Sequence, residues 1–257
     1  MSTVKFSVVI PLYNKVDSVS RTLASICEQR FAAAEIIVVD DGSTDGSAAK
    51  VAELNIPNLV LVKQKNQGVS AARNFGVTLA KHQHIAFIDA DDQWSPFYLY
   101  EMSKLIQHFP EHQCFASNYQ KVFADGDYRN PKLAIGDIPP TGCVMNNYFA
   151  VCAKGDLPFM PSSLVITKTL FTQLGGFPVG EAMGEDQALF SQIALHSSLV
   201  YLPLVLMLYH TDSENRACDT HIPQDLLPFA KRLLDKVATG QIDKSTAPFV
   251  LQYCAAH

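Results

Sequence analysis

Four short apolar runs lie at residues 6–11, 36–39, 59–62 and 84–88; the first ends at Pro11 and the others stop at charged side chains. They are rich in Val and Ile and lack the alternation of a half-buried strand, so each reads as a strand covered on both faces. Helical patterns fill the gaps between them. Residues 16–28 carry an apolar stripe at Val19, Leu23 and Ile26, and Asn66-Gln67-Gly68 turns the chain into a helix bearing Ala71, Ala72, Arg73 and Ala80. Strand–helix alternation at this spacing implies right-handed βαβ units and a parallel sheet. In such sheets ligands sit outside the carboxyl ends of the strands. Tyr13, Asp41, Arg73, Asp89, Asp91 and Asp92 all fall at or just after those ends.

The fourth run delivers Asp89, Asp91 and Asp92 within four residues, and a second acidic pair, Glu185-Asp186, lies far downstream. Crowded carboxylates repel, and burying them unpaired is costly. A hard divalent cation carrying a diphosphate would resolve both problems. The plainer reading is a polar strand end running into the helix start at Ser95-Pro96. Asp40, one residue before Asp41, reads as a turn carboxylate rather than a ligand.

The second half has less pattern. A helix is expected from Ser95-Pro96 to about 108 and a strand over 114–123. Residues 125–160, rich in Gly, Pro, Asn and Asp without a period, read as one long functional loop. A short strand at 164–166 leads to Thr167, the cap of a helix ending at Gly175-Gly176. Glu185-Asp186 opens another helix, and residues 199–209 give one or two strands broken at Pro203. Residues 224–238 place Leu, Phe and Val on one broad face, with Lys231, Arg232 and Lys236 elsewhere. Such a face packs on its own domain more often than on a membrane surface or a partner.

A net charge of −5 gives no general basic footprint for nucleic acid. Six cysteines without a C-x-x-C pair suit neither a zinc site nor a disulfide framework, so reduced thiols are expected. The first residues lack the pattern of a secretory signal, and the apolar run at 199–209 is too short for a bilayer. The expectation is a soluble cytoplasmic protein, with peripheral association at the inner face of the membrane left open. No G-x-x-x-x-G-K-[ST] or G-x-G-x-x-G motif is present, so the phosphate-cradling glycines of P-loop and Rossmann proteins are missing.

Six segments are to be read together: Ser7-Val8-Val9-Ile10-Pro11-Leu12-Tyr13-Asn14, Val39-Asp40-Asp41-Gly42-Ser43-Thr44-Asp45 and Asn66 to Gly76, then Phe87-Ile88-Asp89-Ala90-Asp91-Asp92, Leu174-Gly175-Gly176-Phe177 and Gly184-Glu185-Asp186. In this order and spacing, across roughly residues 5–213, they resemble the family 2 glycosyltransferases. The resemblance implies an α/β GT-A fold with a mainly parallel central sheet flanked by helices. It implies a domain over 1–213, with a donor half at about 1–95 and an acceptor half at about 96–213, followed by a helical extension over 214–257.

It further implies an inverting transferase that moves sugar from a nucleotide-diphospho-sugar, by family habit a UDP-sugar, to a saccharide or glycolipid acceptor in bacterial cell-surface synthesis. By the same resemblance, Tyr13 stacks on the base, Asp41 accepts a hydrogen bond from it, and Arg73 meets base or diphosphate. Pro11, Asn14, Asn66, Asp89 and Ala90 line the donor. Asp91 holds Mg²⁺ or Mn²⁺, Asp92 and His210 are further candidate metal ligands, and Asp186 is the general base. The rival readings are a non-catalytic nucleotide-sugar-binding partner subunit and a nucleotidyltransferase. The latter needs a Gly-rich basic loop near the first strand, where Pro11-Leu12-Tyr13-Asn14-Lys15 offers none.

Overall fold

The computed structural model describes residues 4–213 and 225–256. Cys218 and the start of both the 214–257 extension and the 224–238 helix lie outside the described residues. The first four strands are β1 (Phe6–Leu12), β2 (Glu35–Asp40), β3 (Leu59–Lys63) and β4 (His84–Phe87). Helices α1 (Val19–Cys27), α2 (Ser47–Glu53) and α3 (Val69–Leu79) connect them. These strands pair in parallel, in the order β3-β2-β1-β4. The chain therefore winds outward from β1 to β3 and then returns to β1's other side. That reversal opens a crevice between the carboxyl ends of β1 and β4, the usual place for a ligand in an open α/β sheet.

Beyond β4 the sheet becomes mixed. It continues through β5 (Gln93–Trp94), α4 (Tyr98–His108), β6 (Cys114–Val122), β7 (Tyr128–Arg129), β8 (Cys143–Met145) and α5 (Tyr148–Cys152). A 3₁₀ turn, Pro161–Ser163, leads into β9 (Leu164–Thr167), α6 (Lys168–Gln173), α7 (Glu185–His196) and β10 (Leu199–His210). Helices α8 (Pro228–Ala238) and α9 (Ala247–Ala256) close the described chain. The sheet has ten strands among the described residues; β9 runs antiparallel between β4 and β6, and β10 lies parallel to β6.

Residues 125–160, expected as one loop, carry β7, β8 and α5 instead. Elements of two to five residues are too short to impose a period; β8 exists through pairing with Leu199–Tyr201 of β10. β10 is one strand with register shifts on either side of Val205 rather than two strands broken at Pro203. A proline has no N–H for the ladder, and the irregularity carries the chain past it.

Alternate residues of the central strands feed two cores. Val9, Ile37, Val39 and Phe87 face one side with α3 and α7; Val8, Ile10, Val38 and Ile88 face the other with α1 and α4. Gly76 lets α3 lie close on β1, since a Cβ there would come within 2.4 Å of Val9 Cγ1. The apolar face of α8 packs on its own domain: Phe229, Ala230 and Leu233 join the same core as α7 and α9. No helix among the described residues is long and apolar enough to cross a membrane.

Candidate active site

The loop after β1 is held from outside by the loop after β2. Asn14 N–H donates to Ser43 Oγ, Lys15 N–H to Ser47 Oγ and Val16 N–H to Asp45 Oδ2, while Thr44 N–H donates back to Asn14 Oδ1. Asn14 takes φ 50°, which Asn tolerates better than most residues. This leaves Tyr13 projecting, 43% exposed, at the mouth of the crevice. Pro11 is buried within β1. Asp40 accepts from Ser43 N–H, as the turn reading anticipates.

Asp41 is buried and accepts from Gln64 Nε2, Gln67 N–H and Gly68 N–H. Its carboxylate thus shapes the turn before α3, and exposed Asn66 sits in that turn against Gly42. Asp41 is therefore separate from the acidic cluster around Arg73, to which the remaining candidates lead.

Arg73 is 2% exposed. Its guanidinium donates to Asp89 at 2.8 and 3.0 Å and to Asp186 Oδ1 at 2.7 Å, lies 3.6 Å from Glu185, and stacks over the Phe177 ring. Asp89, just after β4, thereby meets the acidic start of α7 through one shared guanidinium. Its neighbours Asp89, Asp186 and Glu185 raise the Arg73 pKa despite burial. Burial, with Glu185 beside it, pushes Asp186 up to about 8 against the opposing pull of Arg73. Asp186 keeps 26% of its side chain exposed, and among the described residues its Oδ2 accepts no hydrogen bond. That oxygen is available to take a proton.

Asp91 faces the β1 loop: its Oδ2 accepts from Lys15 Nζ at 2.8 Å and Ser213 Oγ at 2.6 Å, and Arg21 donates to its carbonyl. Ala90, beside it, is buried. Asp92, the next candidate ligand, is turned away from the crevice. It is 1% exposed, accepts from the Ser162 hydroxyl and from His210 N–H, and is pushed well above the ordinary range by burial and then by Asp91 and Asp89. Both of its oxygens are thus bonded within the protein.

His210 is nearly buried, with its pKa lowered by burial and by Arg21, and its Nε2 has no hydrogen-bond partner among the described residues. A neutral imidazole with an unpartnered nitrogen near a carboxylate fits a cation such as Mn²⁺. The preformed cluster is incomplete, however: among the described residues no three His, Cys, Asp or Glu side chains are grouped to hold a metal. The residues present fit a cation held by one carboxylate and one imidazole, with the remaining positions left to substrate phosphate and water.

Sequence reasoning missed Ser162, whose hydroxyl also accepts from Asp89 N–H and whose carbonyl accepts from Trp94 Nε1. It lies in a stretch without period, so nothing marked it. Lys15 follows the Pro11-Leu12-Tyr13-Asn14 segment, but the sequence does not show its partner, 76 residues away.

The sequence pattern of Glycosyl transferase family 2 matches residues 7–155. Among curated proteins, "Uncharacterized glycosyltransferase YibD" of Escherichia coli (strain K12) is 45% identical over 97 residues, 37% of this chain and 28% of that protein. "Amylovoran biosynthesis glycosyltransferase AmsB" of Erwinia amylovora is 39% identical over 178 residues, 65% of this chain and 56% of that one. The chain thus spans little more than a quarter of the length of YibD and little more than half of AmsB. Among solved structures, S. aureus TarS 1-349 in complex with UDP-GlcNAc superposes with a TM-score of 0.73 at 19% identity, over 95% of this chain and 69% of that one.

Proposed function

The chain belongs to glycosyl transferase family 2, and we propose that it is an inverting glycosyltransferase using a nucleotide-diphospho-sugar. The observation that carries this reading is the Arg73 fork, which joins Asp89 of the donor half to Asp186 of the acceptor half in one partly open cluster. The fold likeness to a protein solved with UDP-GlcNAc supports a UDP-sugar as the donor. The likeness to AmsB, a glycosyltransferase named for amylovoran biosynthesis, supports a saccharide or glycolipid acceptor in bacterial polysaccharide synthesis.

In this reading residues 1–95 hold the donor. Tyr13 stacks on the base, Pro11, Asn14 and Asn66 line the nucleoside, Asp41 meets the base, and Asp89 with Ala90 meets the ribose. Residues 96–213 present the acceptor, and 214–257 form the helical extension. The acceptor hydroxyl attacks C1 of the sugar, Asp186 Oδ2 takes its proton, and the bond from C1 to the diphosphate breaks. Attack opposite the leaving group inverts the anomeric centre. Asp91 and His210 would hold Mg²⁺ or Mn²⁺, and charge neutralisation of the departing diphosphate is what such a cation supplies. Asp92, with both oxygens bonded within the protein, is outside that set. The reading places the protein in the cytoplasm, free or peripheral at the membrane, and without a nucleic-acid partner.

The test is thermal stabilisation by a panel of nucleotide sugars with Mn²⁺ present. A true donor raises the midpoint in proportion to its affinity, and Tyr13→Ala reduces that rise. A panel in which no nucleotide sugar moves the midpoint would overturn the reading.

A further inference from the structure

Lys15 lies on the crevice between β1 and β4, and its backbone is fixed on both sides. The N–H groups of residues 14, 15 and 16 are all bonded to side chains of the loop after β2. Its side chain crosses the crevice to Asp91, with the two side chains only 11% and 15% exposed. Ser213 donates to the same carboxylate oxygen, and Arg21 binds the carbonyl of the same residue. Arg21 Nε is buried and has no hydrogen-bond partner among the described residues. Positive charge therefore converges on Asp91 from two residues of the chain's first segment.

We propose that Lys15 is the resident counter-ion of Asp91 and exchanges that carboxylate for the diphosphate when a divalent cation arrives. This rests on the reading of Asp91 as a cation ligand and of the donor as a nucleoside diphosphate. An ammonium and a divalent cation cannot share one carboxylate oxygen without strong repulsion, because a little-exposed site screens them poorly. The lysine stem is long and flexible while its backbone is strapped down, so the ammonium moves and the loop stays. Where it goes follows from charge. A nearly buried ammonium needs an anion, and the anion that accompanies the cation is the diphosphate. The exchange keeps the crevice close to neutral in both states. Without ligand, Lys15 balances Asp91; with ligand, Lys15 and the cation together balance Asp91 and the diphosphate. Lys15 would then touch the leaving group, and the cation would bind well only with its nucleotide.

The experiment titrates Mn²⁺ into the full chain by electron paramagnetic resonance, then UDP and UMP by calorimetry at saturating Mn²⁺. It compares wild type, Lys15→Met and Lys15→Gln. Both replacements remove the charge; Met keeps most of the stem, and thermal midpoints check that each variant folds. Without nucleotide, the variants should bind Mn²⁺ about tenfold or more tightly than wild type, as one lost charge-assisted contact allows. With Mn²⁺ present they should bind UDP about ten- to a hundredfold more weakly, and UMP much less affected. Unchanged or weaker Mn²⁺ binding overturns the proposal, as does an equal loss for UDP and UMP, which would make Lys15 a loop support. Wild-type UDP binding that is indifferent to Mn²⁺ is a separate result. It removes the cation reading itself and needs no Lys15 variant to be seen.

Discussion

Arg73 Nη1 lies 2.7 Å from Asp186 Oδ1, although the two residues are 113 positions apart in the chain. One nearly buried guanidinium is thereby shared between the carboxylate after β4 and the carboxylates that open α7. Removing the guanidinium leaves Asp89, Asp186 and Glu185 facing one another. Arg73→Met should cost stability toward the lower end of the about 3–5 kcal/mol for breaking a buried pair, because Asp89 and Asp186 stay 27% and 26% exposed. Urea unfolding at neutral pH measures it. The deficit should shrink at acid pH as the stranded carboxylates take up protons; a deficit that ignores pH would show the cost to be lost packing alone.

Asp186→Asn separates enzyme from binding module. The amide keeps size and polarity but cannot accept the acceptor's proton, so donor affinity should hold while transfer falls by roughly 10²–10⁴-fold. Transfer at the wild-type rate would reduce Asp186 to an acidic helix start.

The same residue sets a pH dependence with two opposite signs. Its carboxyl titrates near 8 in the ligand-free protein because burial and Glu185 outweigh Arg73. As a carboxyl raised above its unfolded value, it contributes stability that is fully present below the ordinary carboxylate range and is lost as pH rises through about 8. The base must be ionised to act, so kcat/KM should climb over that same interval. Glu185→Gln removes a charge that holds the proton on, and the acid limb should move to lower pH. A profile that is flat above the ordinary carboxylate range, in wild type and variant alike, would contradict the assignment.

Asp91 and Asp92 should part company when each is changed to Asn. Asp92 is bonded to Ser162 and to His210 N–H with its carboxyl held toward the neutral form, so a neutral amide of the same shape fits. Asp92→Asn should therefore keep Mn²⁺-dependent UDP binding, and Asp91→Asn should lose it. Calorimetry in which Asp92→Asn is the more damaging change would return Asp92 to the ligand set.

Gly76→Ala tests the close approach of α3 to β1. The added methyl meets Val9 Cγ1 at 2.4 Å, so Val9 or the helix must shift. Overpacking of this kind costs about 1–3 kcal/mol, seen as a lower midpoint in thermal unfolding. Because α3 also carries Arg73, donor affinity should fall with it. An unchanged midpoint would mean that the helix relaxes freely.

The donor half was legible because its information is local. Short β-branched runs such as Val8-Val9-Ile10 and Ile37-Val38-Val39 suit buried strands, and in a parallel sheet the polar residues that end them lie along one sheet edge. That logic puts Tyr13, Asp41, Arg73, Asp89 and Asp91 at or just after the carboxyl ends of the strands. It could not say which partner each would choose. β8 is invisible in the sequence because it exists through pairing with the distant β10, β7 because two residues impose no period, and the role of Ser162 depends on a turn without period.

The sequence by itself determined the elements of the parallel half, their order and the chemical type of the site, since strand length, helix period and side-chain charge are properties of neighbouring residues. Only the tertiary structure decided that Asp92 turns inward to Ser162 while Asp91 turns outward to Lys15, and that Arg73 clasps Asp186. Adjacent aspartates carry the same charge and the same chemistry. Their fates diverge because packing sets which one is desolvated and which one meets a cation, and that depends on residues 70 to 122 positions away.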